Sequence, residues 1–185
     1  TTLTARFFDR VRLYPTEPIL SVCEPNSIIR VALRSINGNN VVDNCKVHDY
    51  NLRNKFLWAG INVNGCGNIV SHNEVYNAEF QGIFVYGNEH IFEYNNVHDV
   101  TTNSDDTSPW YIGRDPSDRG NVVRYNYFHH IGNPNRMNMG IYCDDSSADV
   151  FVFGNVFYKM ETKHGILFTN SGWDLTMKNN IIIEP

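Results

Sequence analysis

NIVSHNEVYN, residues 68–77, and HIFEYNNVHD, residues 90–99, are one phrase written twice, and its recurrence decides the fold. It returns as NVVDNCKVHD from Asn40, NVVRYNYFHH from Asn121, VFVFGNVFYK from Val150 and DLTMKNNIII from Asp174. Aligned on the central polar residue, the six copies place Cys45, Asn73, Asn95, Asn126, Asn155 and Asn179 in one column. Val47, Val75, Val97, Phe128, Phe157 and Ile181 fall two places later. A fixed internal period of this length is the mark of a stacked solenoid. A shorter phrase lies between most copies: GINV at Gly60, GIFV at Gly82, GIYC at Gly140 and GILF at Gly165. Its apolar residues alternate, as in a short strand with one face inward, and the leading Gly permits the bend that feeds it.

The column spacings are 28, 22, 31, 29 and 24 residues. The shortest approaches the least chain that closes a triangular turn, so the excess elsewhere belongs to loops thrown outward at fixed corners. Strands of one coil then pair with the coils above and below at about 4.8 Å, which satisfies their backbone groups. An Asn repeated at an inward bend can bond its neighbour's side chain and the bend's backbone, each bond contributing on the order of 1 kcal/mol net. No segment carries the 3.6-residue pattern of a substantial helix. The expected fold is all-β: a right-handed single-stranded parallel β-helix, a solenoid of about six coils. It forms one domain over residues 1–185, with irregular first coils over 1–39 and regular repeats over 40–183. Neither end shows a capping element of the kind solenoids need. The expectation is a fragment of a longer helix with missing flanking segments, or end-to-end self-association.

The 185 residues carry a formal charge of −5, with the fifteen Lys and Arg scattered singly. Nucleic acid, which requires a basic stripe, is not an expected partner. No apolar run is long enough for a membrane span, so no membrane partner is expected either; the N-terminus TTLTARFFDR lacks the build of a signal peptide. Cys23, Cys45, Cys66 and Cys143 form no CxxC pair and read as small core residues, although Cys23 and Cys45 lie one minimal coil apart and could be bridged.

Two long loops carry the candidate chemistry, because insertions on a rigid scaffold are where binding and catalysis concentrate. Residues 100–120 hold Asp105, Asp106, Arg114, Asp115, Asp118 and Arg119; residues 130–149 hold Arg136, Asp144 and Asp145. Reading WYIGRD (110–115) and GIYCDD (140–145) as the same strand in consecutive coils brings Arg114 or Asp115 beside Asp144 or Asp145, with the register open by one or two residues. Carboxyls on adjacent coils lie roughly 5 Å apart, the separation of retaining glycoside hydrolysis. Solvated turn aspartates and a Ca²⁺ site are the competing readings; no other cofactor is expected. Asn62, Phe84, Tyr111, Tyr142 and Leu167 occupy outward positions of this strand column. An aromatic strip at Phe84, Tyr111 and Tyr142 suits sugar rings, or simply stacks coil on coil. With Trp110, Arg136 and His130 these aromatics make the expected substrate-binding set. His48, Tyr76, His98 and His129 share another column, read as a solvent-facing ladder; His129 and His130 are the histidines considered for proton transfer. His72, His90 and His164 carry no interpretable spacing.

GIxV strands alternating with NxxxxNxVxN phrases resemble the right-handed β-helix proteins of the pectin-lyase-like superfamily, over roughly Asn40 to Ile183. WYIGRDPSDRGNVVRYNYFHHI, MGIYCDDSS and VFGNVFYKM are similar to secreted β-helix glycoside hydrolases of the α-L-fucosidase and xylanase type. The resemblance implies an extracellular protein acting on a polysaccharide through Asp115 with Asp144 or Asp145, assisted by Arg114. Two alternatives stand beside it: a non-catalytic extracellular carbohydrate-binding or filament-forming module, and a polysaccharide lyase. Lyases of the superfamily need a Lys or Arg base, and Lys159 and Lys163, the nearest lysines in sequence, sit in the next coil.

Overall fold

Each repeat phrase folds into two short strands joined by a bend, and the GIxV phrase supplies a third. The computed structural model describes residues 11–13, 20–22, 31–34, 38–51 and 58–185. Their strands form three sheets in which every pairing is parallel. The first sheet stacks Val11–Leu13, Val31–Arg34, Ile61–Asn64, Ile83–Val85, Trp110–Gly113, Ile141–Asp144 and Leu167–Thr169. The second stacks Leu20–Val22, Val41–Asp43, Ile69–Ser71, Ile91–Glu93, Asn121–Arg124, Val150–Phe153 and Thr176–Lys178. The third stacks Lys46–His48, Glu74–Tyr76, Asn96–His98, Tyr127–Gly132, Val156–Glu161 and Ile181–Ile183. No helix occurs among the described residues. This is the parallel β-helix expected from the repeat. The described strands within residues 1–39 already run in register with it, Val31–Arg34 pairing with Ile61–Asn64; the rest of that stretch lies outside the described residues.

Alternation along the strands turns every second side chain inward, most of them aliphatic or aromatic. The interior is a column of Val42, Val70, Phe92, Val123 and Val152 facing Val47, Val75, Val97, Phe128 and Phe157, all buried. Phe128 and Phe157 stack with ring centroids 5.3 Å apart.

The bend between the second and third sheets repeats to the residue. The strand ends, one residue adopts left-handed φ (Asn44 54°, His72 52°, Tyr94 55°, Tyr125 56°, Gly154 66°, Asn179 54°), and the next turns its side chain inward. From Asn73 onward that inward residue is Asn. Asn126 Oδ1 accepts from the Asn95 N–H and Nδ2 (both 2.9 Å), while its own Nδ2 donates to the Phe92 carbonyl (2.9 Å) and Asn155 Oδ1 (3.0 Å). Asn73, Asn95 and Asn155 bond in the same way. The last member is Asn180, not the expected Asn179, since the Asn155 N–H donates to Asn180 Oδ1 (3.0 Å). Accordingly Phe157 pairs with Ile182 rather than Ile181. Lys178 ends its strand opposite Phe153, so the next residue must take the left-handed turn and only the second Asn of the pair can reach inside.

A second ladder runs at the start of each phrase. The Asn40 N–H donates to Asn68 Oδ1 (3.0 Å), the Asn68 N–H to His90 Nδ1 (3.0 Å), and the His90 N–H to Asn121 Oδ1 (3.1 Å). His90 is fully buried. Its Nδ1 accepts and its Nε2 donates to the Tyr86 carbonyl (2.9 Å), so the ring is neutral in the Nε2–H tautomer. Burial lowers its pKa accordingly. His90 is therefore an asparagine substitute in a structural column.

Cys45 is disulfide-bonded, whereas Cys66 and Cys143 are free. Cys23, one coil earlier in the sequence reading, lies outside the described residues. Cys143 is a core thiol whose pKa burial pushes up to about 12.

Candidate functional site

The outer face of the first sheet is where the long loops meet the strand ends. Trp110 pairs with Ile141, Tyr111 with Tyr142, Ile112 with Cys143 and Gly113 with Asp144. Alternation therefore turns Trp110 and Ile112 inward and Tyr111 and Tyr142 outward. Trp110, expected to bind substrate, is instead fully buried, edge-on to Phe92 at 5.5 Å, and belongs to the core. The outward column reads Asn62, Phe84, Tyr111, Tyr142 and Phe168. Leu167, assigned to it from the sequence, pairs with Ile141, because the last coil reaches the strand one residue later.

The aromatic strip exists, with ring centroids 4.8, 5.1 and 5.3 Å apart from Phe84 through Phe168. It is not an open platform. Tyr111 and Tyr142 are only 3% and 5% exposed, packed with Met139, Phe84 and Phe168. The loops cover them. Residues 100–109 and 133–139 zip together beside the sheet as a continuation of the stacking: the Asp106 N–H donates to the Met137 carbonyl (2.7 Å), Thr107 pairs with Asn138, and buried Asn138 donates to the Ser104 carbonyl (2.7 Å). On the rim of this shelf Arg136 bonds Asp105 (3.1 Å) and Asn103 (3.0 Å).

At the other end of the strands, Asp144 is the centre of a polar cluster and is 3% exposed. Its Oδ2 accepts from the Tyr111 hydroxyl (2.9 Å), and its Oδ1 accepts from the Asp145 N–H (2.9 Å) and Asn170 Nδ2 (3.0 Å). The Tyr142 hydroxyl donates to Asp106 Oδ1 (3.2 Å), and the Asp144 carboxylate acts on the same phenol electrostatically. Burial first, then these carboxylates, raises the pKa of both phenols, so each stays a protonated donor at neutral pH. Arg114, exposed and with φ 75°, interacts with Tyr111 and Asp144, and its Nε lies 3.7 Å from Asp145 Oδ2. Gly113 makes room for this: a Cβ there would lie 2.7 Å from the Asp144 carbonyl oxygen.

Of the expected catalytic set, Arg114, Asp144 and Asp145 come together and Asp115 does not join them. The chain has turned away from the sheet by then; the exposed Asp115 carboxylate accepts from the Ser117 N–H (2.9 Å) and Oγ (2.6 Å), which lower its pKa. Its acidic neighbour is Asp118, a buried carboxyl whose pKa desolvation raises. The carboxyl that accepts from the Tyr142 phenol, on which Asp144 also acts electrostatically, is Asp106. Sequence reading had it in the loop without a role, because loop length hides which coil its tip reaches. Asn170 carries no sequence signal at all.

The histidine column stacks as expected, with His48–Tyr76, Tyr76–His98 and His98–His129 centroids 4.9, 5.0 and 4.6 Å apart. It is half-buried rather than solvent-facing. His129 Nε2 donates to Asn96 Oδ1 (2.9 Å), so its Nδ1 accepts from His130 Nδ1 (2.8 Å). Both lie on the third sheet rather than with Asp144. Among the described residues no group of three or more His, Cys, Asp or Glu is arranged to hold a metal ion.

Fold and site together define a parallel β-helix bearing a tyrosine- and carboxylate-lined outer face. A family model described as "Right handed beta helix region" matches residues 59–184, and the chain belongs to that family. Neither curated proteins nor solved structures gave a match to this chain.

Proposed function

We propose that this face cleaves glycosidic bonds in a polysaccharide, with Asp144 and Asp106 as the working carboxyl pair. The observation that carries the reading is Tyr142, whose hydroxyl donates to Asp106 Oδ1 (3.2 Å) and whose pKa the Asp144 carboxylate helps to raise, so that both carboxyls act on one phenol. Two carboxyls gathered around one phenol are placed to act on a single glycosidic bond, as the paired carboxyls of glycoside hydrolysis do. Asp144, oriented by the Tyr111 hydroxyl, the Asp145 N–H and Asn170 Nδ2, is the nucleophile; exposed Asp106 is the acid and base. Arg114 and Asp145, exposed beside Asp144, and Arg136 on the shelf offer groups for sugar hydroxyls. The disulfide at Cys45 supports an extracellular setting, where such bonds persist. No step requires a metal; Ca²⁺ remains a proposal for the Asp115–Asp118 turn alone.

One observation favours a second reading: Asp144 and both tyrosines are nearly closed to solvent. In a non-catalytic glycan-binding module the same cluster would only staple the shelf to the sheet. A polysaccharide panel decides between them. Asp144→Asn and Asp106→Asn, each near-isosteric, should lower hydrolysis by at least ~10²-fold with little change in melting temperature. Hydrolysis unchanged in both variants, or glycan binding with no turnover by the parent protein, rejects the catalytic assignment. Unsaturated products absorbing in the ultraviolet would identify a lyase instead.

A further inference from the structure

Among the described residues no loop covers the outer face of the second sheet, which carries two columns. One is apolar from coil to coil: Val41, Ile69, Ile91, Val122, Phe151, then Thr176. The five apolar members are all partly exposed. The other reads Asp43, Ser71, Glu93, Arg124, Phe153 and Lys178 in the same register, acidic at its first coils and basic at its last. Along the adjoining bend stand Tyr94 and Tyr125, 51% and 42% exposed, stacked at 5.5 Å.

We infer that this face docks a second copy of the chain through a two-fold axis lying along the strand direction, midway between Ile91 and Val122. Such an axis keeps each column opposite itself and reverses the order of the coils. Asp43, bonded within its chain to Ser71 and His72, then meets Lys178 of the other copy; the Glu93–Arg124 ion pair (2.7 Å) meets its own inverted copy, so each carboxylate faces a second guanidinium; Ile91 meets Val122, Ile69 meets Phe151 and Tyr94 meets Tyr125. Every opposition is apolar on apolar or unlike in charge, apart from Ser71 on Phe153 and Val41 on Thr176. The alternative two-fold, with helix axes parallel, lies along the helix between the two columns and sets the apolar column against the charged one, Val41 on Asp43, Ile91 on Glu93 and Val122 on Arg124. Keeping apolar residues on apolar and unlike charges together therefore selects the antiparallel arrangement, and an isologous interface needs this kind of self-complementarity. Six strands at about 4.8 Å by three residues at about 3.3 Å make a patch on the order of 300 Å². That is well short of the roughly 800 Å² per partner of a stable complex, so the dimer is weak and concentration-dependent.

Sedimentation equilibrium of the whole chain in low salt, over a wide concentration range, tests it. The expected result is a monomer–dimer equilibrium whose dissociation constant rises at least tenfold in Val122→Asp and rises also in Asp43→Lys or Lys178→Asp alone. An equimolar mixture of those two charge variants should regain association. With Cys66→Ser as background, Asp43→Cys should cross-link to Lys178→Cys and neither to itself. A monomer at every concentration, association indifferent to Val122→Asp, or self-cross-linking of Asp43→Cys overturns the inference.

Discussion

The asparagine bend and the carboxylate face lie on the same coils and are built on opposite rules. At the bend every coil contributes the same chemistry, and each side chain is satisfied by the copy above and the copy below. On the first sheet's outer face the chemistry changes along the column, from Asn62 through Phe84, Tyr111 and Tyr142 to Phe168, and the phenols find their partners on a strand end, Asp144, and a loop, Asp106. Identity between coils lets a ladder bear structure; difference between coils lets Tyr142 join carboxylates that lie far apart in sequence.

The sharpest way to break the first rule is Asn126→Leu. It keeps the volume while orphaning the Asn95 N–H, leaving Asn95 Nδ2 only its bond to the Val70 carbonyl, and taking the Asn126 donor from the Phe92 carbonyl at a buried position. At ~1–3 kcal/mol per orphan the expected loss is about 4 kcal/mol, read from denaturant midpoints. A loss under ~1 kcal/mol would mean that water fills the bend and the ladder is ornamental.

The second rule is broken at Gly113. Gly113→Ala drives a Cβ to within 2.7 Å of the Asp144 backbone, so the strand end and its carboxylate must shift. Overpacking of this kind costs ~1–3 kcal/mol. If Asp144 is the nucleophile, hydrolysis falls well beyond the change in stability; parallel losses in both would reduce the cluster to a staple.

The same contrast explains what the sequence made legible. Columns of Val, Phe and Asn repeat at a near-constant offset from their strands, so five of six ladder positions could be aligned by eye. The exception, Asn179 against Asn180, is a tie between identical neighbours that only strand length resolves. The site resisted for the opposite reason. Asp115 follows its strand by two residues and looked adjacent to Asp144, but Arg114 adopts a left-handed φ and carries the chain away from the sheet. Asp106 precedes its strand by four residues, yet the zipped loops fold it back over the next coil. Trp110 was misread by one step of alternation. His90 hid because the column it joins is otherwise asparagine.

A subtler test uses pH. Burial, with His98 and His130 alongside, holds His129 down to about 4, against 6.5 in an unfolded chain. Below 6.5 the unfolded chain binds the proton and the folded chain does not, so stability falls as pH drops from about 6.5 to 4 and is flat above that window. Buried His90 adds in the same direction. Melting temperatures across this range should slope less in His129→Phe, which keeps a ring in the stack beside Asn96, Glu74 and Asp99 but does not titrate. An unchanged slope assigns the effect to other groups.

The smallest effect is expected at Arg136, on the rim of the shelf. Its bonds to Asp105 and Asn103 are exposed and screened, and pairs of that kind contribute about 0–1 kcal/mol. The shelf itself rests on backbone pairing between Asp106 and Met137 and on buried Asn138. Arg136→Ala should therefore leave stability within ~1 kcal/mol of the parent and leave Asp106 in place. Asn138→Ala should cost more than that and release the shelf from the sheet. If the order of the two were reversed, Asp106 would be held by a solvated ion pair rather than by stacked chain, and the carboxyl pair proposed across Tyr142 would lose the rigidity it needs.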